Sequence, residues 1–245
     1  MPTISVIIPC LNEEKYLGLL LEDLAKQSVM PDEVIVADCD STDNTVSVAK
    51  SYQRKLPIKI AHSPKQNPGS ARNAGAQQAS TDYLIFIDAD MRIPKNTIEV
   101  IENSLNEKQV DFLTPSYKSD GLHPADRFLF WTVNRWMRKN ISSGKLAAIS
   151  GFMCVKRVVH NRLGGFNTKM AVGEDIDYVA KLRKHKLSYT YLDSLVIVNS
   201  SRRFEGRSLI TALLQQLIQN SDLARWFFQP LLRKVGLQKK YGHYQ

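Results

Sequence analysis

The chain has 245 residues, 43% hydrophobic and 23% charged, which is enough for one large α/β domain that buries about 70–75% of its unfolded surface. No run approaches the roughly eighteen consecutive apolar residues of a spanning helix, and the composition is not that of a disordered chain. The net charge of +9 is uneven: residues 1–100 carry ten Lys/Arg against thirteen Asp/Glu, 101–201 fifteen against nine, and 202–245 eight against two. A basic C-terminal part fits a solvated face, a nucleic-acid surface or an anionic membrane surface. Three scattered cysteines, Cys10, Cys39 and Cys154, have neither metal-ligand spacing nor the even count of a disulfide framework, so a reducing compartment is expected. The N-terminus lacks the basic and long apolar regions of a signal peptide, which points to a cytoplasmic location.

In chain order, Ile4 to Pro9 is a β-branched run, and Glu13 to Gln27 has a helical stripe of Tyr16, Leu17, Leu20, Leu21 and Leu24. Val34 to Ala37 is a short apolar strand, and the small polar residues Ser41 to Thr45 suit a turn and helix start. A helix to about Arg54, a strand near Ile58 to Ala61, a helix from about Ser70 to Ala79 and a strand at Leu84 continue the alternation. Strand-helix repetition implies an α/β fold with a doubly wound, mostly parallel sheet and helices on both faces. Strand ends at Asn12, Asp38 and Asp88 would share one edge of that sheet, where ligands bind.

The run Tyr83 to Ile87 ends in Asp88-Ala89-Asp90. Successive strand residues point to opposite faces, so Asp88 and Asp90 project the same way from the strand's C-terminal end, and two converging carboxylates suit Mg²⁺ or Mn²⁺ shared with a substrate diphosphate. By itself the pair also fits a solvated turn. From residue 110 the regularity fades. Asp126 to Asn140 mixes Phe128, Leu129, Phe130, Trp131, Val133, Trp136 and Met137 with Arg127, Arg135, Arg138 and Lys139, an amphipathic helix that packs on the core or lies on a membrane interface. Gly173-Glu174-Asp175 opens a helix to about His185, and Ser194 to Val198 is the last strand-like segment, followed by Arg202-Arg203-Phe204.

Four clusters stand together: Pro9-Cys10-Leu11-Asn12-Glu13-Glu14; Asp38-Cys39-Asp40-Ser41-Thr42-Asp43; Gly69 to Gly75 with Asp88-Ala89-Asp90; and Gly173-Glu174-Asp175. Their order and spacing over about residues 3–205 resemble the family 2 glycosyltransferases of GT-A fold, including the polyprenyl-phosphate sugar synthases. The resemblance implies a GT-A, Rossmann-like domain over 1–205; beyond it, Leu209 to Leu232 carries apolar helical patches flanked by Arg225, Arg233, Lys234, Lys239 and Lys240, which read as a basic amphipathic helical extension over 206–245. The resemblance implies a nucleotide-sugar donor, a lipid-linked or glycan acceptor and no nucleic-acid partner, while the basic extension makes an anionic membrane surface a further candidate contact, at the inner face of the cell membrane. Pro9, Leu11 and Glu13 would border the nucleotide, Asp38 would bind the base, and Arg72 would lie beside the diphosphate. Asp88 and Asp90 would hold the metal. Asp175 would be the general base, and Glu174, Arg202 and Arg203 would lie near acceptor or diphosphate. Cys39 and Asp40 depart from the family's Asp-Asp-Gly-Ser turn.

Elementary chemistry agrees with those roles. A leaving diphosphate gathers negative charge that a divalent ion and an arginine neutralise, and a carboxylate in the first turn of a helix is held ionised by the helix dipole. Two other classes compete. A sugar nucleotidyltransferase shares the fold class and metal but is expected to carry a Gly-rich basic loop after the first strand. A catalytically silent membrane scaffold would use only the basic half. A dinucleotide-binding Gly-x-Gly-x-x-Gly is absent from the first turn, which reads Pro9-Cys10-Leu11-Asn12-Glu13.

Overall fold

The computed structural model describes residues 1–121, 124–149, 151–170 and 173–200. The strands are β1 (Ile4–Cys10), β2 (Glu33–Asp38), β3 (Ile58–His62), β4 (Tyr83–Ile87), β5 (Phe112–Ser119), β6 (Phe152–Lys156) and β7 (Tyr189–Asn199). The helices are α1 (Glu14–Ala25), α2 (Thr45–Ser51), α3 (Pro68–Gln78), α4 (Thr97–Lys108), α5 (Pro124–Ser142), α6 (Arg157–Arg162) and α7 (Glu174–Lys184). The sheet order is β3-β2-β1-β4-β6-β5-β7. β1 to β4 are parallel, β6 runs against both β4 and β5, and β5 and β7 pair in parallel, so only β6 is reversed. The chain winds outward from β1 to β3, then crosses back to place β4 on the other side of β1. That reversal opens a crevice beyond the carboxyl ends of β1 and β4.

Alternate residues of the central strands supply two cores. Val6, Ile8, Val34, Val36 and Ile85 join the α1 stripe of Leu17, Leu20, Leu21 and Leu24 on one face, while Ile7, Ile35, Ala37 and Phe86 meet α3 and α7 on the other. Burial on both faces is why these strands are apolar at nearly every position. The second core is thin where α3 lies. Gly69, Ser70, Ala71, Gly75 and Ala76 are the buried small residues of that helix, and a Cβ on Gly75 would stand 2.5 Å from Ile7 Cγ2. Small side chains thus bring α3 close against β1. The helix starts with the Asn67 side chain accepting the Ser70 N–H at 2.8 Å and Pro68 in its first turn, a pairing that favours nucleation there.

Elements 1–90 lie where the sequence pattern puts them, within a few residues at the ends. α4, β5, β6 and α6 do not stand out in the sequence. β5 contains Pro115, which cannot donate a ladder hydrogen bond, and the β5–β7 register slips between Pro115 and Ser116. β7 extends over Tyr189–Asn199, well before the expected Ser194, with Asp193 and Ser194 exposed at its middle. α5 packs Leu129, Phe130, Val133 and Met137 on the core and leaves Phe128 and Trp131 exposed.

Candidate active site

The rim of the crevice is built by the loops after β1 and β2, which lace together. Asn12 N–H donates to Ser41 Oγ (2.9 Å), Thr42 N–H to Asn12 Oδ1 (2.9 Å), Glu13 N–H to Thr45 Oγ1 (2.8 Å) and Glu14 N–H to Asp43 Oδ2 (3.1 Å). Each bond spans some thirty residues of sequence, so the two loops act as one piece. Asn12 and Asp40 have positive φ, 56° and 62°, at these bends, and Asn and Asp are the non-glycine residues that tolerate it best. Asp40 thus holds a left-handed conformation of the kind glycine favours, at the position where the resemblance implies a glycine.

Asp38 closes β2, paired in register with Cys10 of β1 and His62 of β3. Its Oδ2 accepts from Ser41 N–H at 3.1 Å, while Oδ1 is buried and has no hydrogen-bond partner among the described residues. A buried carboxylate oxygen without a partner calls for a donor, either an ordered water or a ligand group. Cys39 belongs to the apolar core instead, and burial pushes its thiol up. Pro9 and Leu11 are half-buried along the same edge, and the Glu13 carbonyl receives the first N–H groups of α1 from Tyr16 and Leu17.

Asp88 and Asp90 follow β4, but they stand in a turn: Met91 N–H returns to the Asp88 carbonyl at 3.1 Å. Strand alternation therefore does not set their directions. The turn is pinned at both ends. Asp88 N–H donates to the Gly151 carbonyl (3.0 Å), Arg92 pairs in the backbone with Val198, and the Arg92 guanidinium grips the Asp23 carboxylate with two bonds of 2.6 Å. Both aspartates are 7% exposed. Among the described residues no three His, Cys, Asp or Glu side chains group as a metal site. Two carboxylates with hard oxygens, in a neighbourhood that is formally acidic, still fit Mg²⁺ or Mn²⁺ when diphosphate oxygens complete the shell.

Arg72 lies under this turn, 3% exposed. Its Nη2 donates to Asp88 Oδ1 and its Nη1 to Glu174 Oε1, both at 2.7 Å, and its guanidinium sits 5.3 Å from the centre of the Phe166 ring. Burial alone would weaken its charge, but the nearby Asp88, Glu174 and Asp175 carboxylates reverse this and push its pKa up. Glu174 is pushed the opposite way from a typical buried ion pair: desolvation raises its pKa, and the Arg72 charge offsets only part of that. Arg72, expected beside the donor diphosphate, thus has both terminal nitrogens engaged by carboxylates.

α7 starts at Gly173, whose φ of 84° is left-handed, and carries Glu174, Asp175 and Asp177 in its first turn. Glu174 points into the protein toward Arg72, while Asp175 is partly exposed. Both acids sit at the positive end of the helix dipole. Behind Arg72, Phe166 stacks on Tyr178 with centroids 4.1 Å apart, and the Tyr178 hydroxyl meets His160 Nδ1 at 2.8 Å. Burial, with a smaller effect of Lys181, lowers the His160 pKa to about 4.

The structure therefore gathers Asp38, Asp88, Asp90, Arg72, Glu174 and Asp175 around the carboxyl ends of β1, β2 and β4. Arg202, Arg203 and the extension 206–245 lie outside the described residues. Sequence reasoning missed the Arg72–Glu174 pair and Gly151. A signal for the first was present, since Arg72 shares a helix face with Gly69 and Ala76, where a charge is out of place unless it is paired.

A family model described as "Glycosyl transferase family 2" matches residues 5–163. The chain is 36% identical over 118 residues to the poly(ribitol-phosphate) beta-N-acetylglucosaminyltransferase TarS of Staphylococcus aureus, covering 46% of this chain and 20% of that protein. It thus spans about a fifth of that relative's length. Among solved structures, S. aureus TarS 1-349 in complex with UDP-GlcNAc aligns with a TM-score of 0.66 at 21% identity, over 90% of this chain and 67% of that one. The mannosyltransferase PcManGT from Pyrobaculum calidifontis, in complex with GDP-Man and Mn2+, aligns at 0.64 and 20% identity, over 89% and 62%. At these identities the structural likeness carries the GT-A fold.

Proposed function

The chain belongs to glycosyl transferase family 2, and from that premise we propose that it is an inverting, metal-dependent enzyme. In this reading it transfers a sugar from a nucleotide-diphosphate donor to a lipid-linked or glycan acceptor on the cytoplasmic side. The observation that carries the reading is the Arg72 bridge: it holds the Asp88 turn and the start of α7 next to each other at the sheet's switch point. Donor-side acids and an acceptor-side acid then face one reaction space.

In this reading the base of the donor lies against the laced loops and gives an N–H to the open Asp38 Oδ1. Asp88 and Asp90 would hold Mg²⁺ or Mn²⁺ with the diphosphate, and that ion would supply charge neutralisation for the leaving group. Asp175, half open at the helix start, accepts the proton of an attacking acceptor hydroxyl. The hydroxyl adds to the anomeric carbon opposite the departing nucleoside diphosphate, so the configuration inverts. The TarS and PcManGT complexes contain UDP-GlcNAc and GDP-Man respectively, so the donor test must span both bases.

A thermal-shift panel of UDP-, GDP- and dTDP-sugars with Mn²⁺ tests the reading. A donor at about 100 times its Kd should stabilise the protein by roughly 2.7 kcal/mol. A flat response across the panel would count against a nucleotide-sugar enzyme. It would favour the silent-scaffold alternative.

A further inference from the structure

We infer that Glu174 is a positioning residue for the donor side of the site, acting through Arg72, although it stands on the acceptor-side helix. The inference deepens the proposed transferase reading and rests on it. The three side chains Asp88, Arg72 and Glu174 are respectively 10%, 4% and 8% exposed, so the two ion pairs are formed away from solvent. A guanidinium is planar and holds its terminal nitrogens at a fixed angle, so fixing Nη1 on Glu174 dictates where Nη2 meets Asp88. The guanidinium carbon lies 5.3 Å from the centre of the Phe166 ring. That residue is itself clamped, with its N–H donating to Asn73 Oδ1 and its carbonyl accepting from Asn73 Nδ2, both at 2.9 Å.

The surroundings give Glu174 its place. Gly69 makes room for it: a Cβ there would stand 3.3 Å from Glu174 Cγ and 3.3 Å from the Asn167 carbonyl oxygen. The adjacent Asp175 is left half open and is not hydrogen-bonded to Arg72 in this arrangement. Two neighbouring acids on one helix thus divide the work, one turned inward to orient the donor-side turn and the other outward to the acceptor. Partners that orient a metal-binding carboxylate commonly change metal affinity about 10–100-fold when removed.

The alternative arrangement, in which Arg72 contacts the diphosphate directly, predicts the opposite response to one substitution. Glu174→Gln releases Nη1 from a charged partner. If Arg72 binds diphosphate itself, nucleotide affinity then stays the same or tightens. If Glu174 orients Asp88 through Arg72, affinity falls. Calorimetry on the full chain with Mn²⁺ and UDP or GDP, whichever stabilises it more, should show at least a roughly tenfold loss for Glu174→Gln and Arg72→Lys. Asp175→Asn, the neighbouring control, should keep wild-type affinity. In turnover, Glu174→Gln should raise the donor KM more than it lowers kcat, and Glu174→Asp should recover part of the affinity.

Hydrogen exchange gives a readout that needs no nucleotide. In the unliganded protein, Asp88→Ala removes one anchor of Arg72 and should speed exchange of the Asp177 and Tyr178 amides in α7. Unchanged exchange there, or unchanged or tighter nucleotide binding by Glu174→Gln, overturns the inference. If neither nucleotide binds the wild type, the proposed function fails, and the exchange result alone decides the coupling.

Discussion

Replacing Asp38 with asparagine keeps the shape of the side chain but changes what it presents to a ligand. In the wild type, Oδ2 holds the Ser41 N–H at 3.1 Å and Oδ1 has no hydrogen-bond partner among the described residues. Asparagine has a single oxygen. If that oxygen keeps the Ser41 bond, its NH₂ takes the place of the open Oδ1. Uracil, thymine and guanine all offer a ring N–H at the edge a carboxylate would read, so donor would then face donor. A hydrogen bond to a charged group contributes about 1.5–3 kcal/mol, equivalent to roughly 10–150-fold in Kd. The donor-donor clash places the expected loss toward the upper part of that range. Calorimetric titration of UDP and GDP with Mn²⁺ measures it, and inorganic pyrophosphate, which has no base, serves as the internal control. Nucleotide affinity should fall while pyrophosphate affinity stays constant. Equal losses for both, or no loss for either nucleotide, would refute base recognition by Asp38.

Asp175→Asn should lower turnover about 10²–10⁴-fold while leaving donor affinity nearly unchanged, because only the acceptor's proton transfer is lost; loss of donor binding in steady-state and titration data would move Asp175 to the donor side. Gly75→Ala should be less stable than wild type: the added Cβ meets the buried Ile7 Cγ2 at 2.5 Å, and an overpacking cost of about 1–3 kcal/mol exceeds the helix-propensity gain of up to about 1 kcal/mol. A Tm equal to or above wild type would show that α3 can lift off β1 freely. His160 contributes an acid sensitivity. Its folded pKa of about 4 lies below the ordinary value of about 6.5, so the unfolded chain takes up a proton first and stability falls as pH drops from about 6.5 toward 4. His160→Gln should flatten the pH dependence of denaturant midpoints over that window, and an unchanged slope would remove His160 as its source.

Much of the first ninety residues was legible because parallel strands buried on both faces leave apolar runs such as Val6–Ile8 and Leu84–Ile87, separated by a clear leucine stripe in α1. The second half hid its strands. β6 is a five-residue antiparallel insertion between β4 and β5, β5 carries a proline at its register slip, and β7 holds exposed residues in mid-strand. Pairing with distant neighbours decides such elements, and local periodicity does not record it. At the site, the acids were readable as residue types at strand ends and a helix start. Their connections were not. That Asp88 turns back toward Gly151, and that Arg72 joins Asp88 to Glu174, which lies 102 residues beyond Arg72 in sequence, follows from the winding of the sheet.

In the proposed reaction the Asp88–Asp90 turn would serve transfer from a nucleotide-sugar. Release of nucleoside diphosphate from the sugar nucleotide that best stabilises the protein, followed with and without Mn²⁺ for wild type and Asp90→Asn, tests it most directly. Mn²⁺-dependent release is expected from the wild type, and none above background from an Asp90→Asn protein that melts as the wild type does. Full release by Asp90→Asn at unchanged metal dependence, or no release by the wild type from any sugar nucleotide, would contradict it.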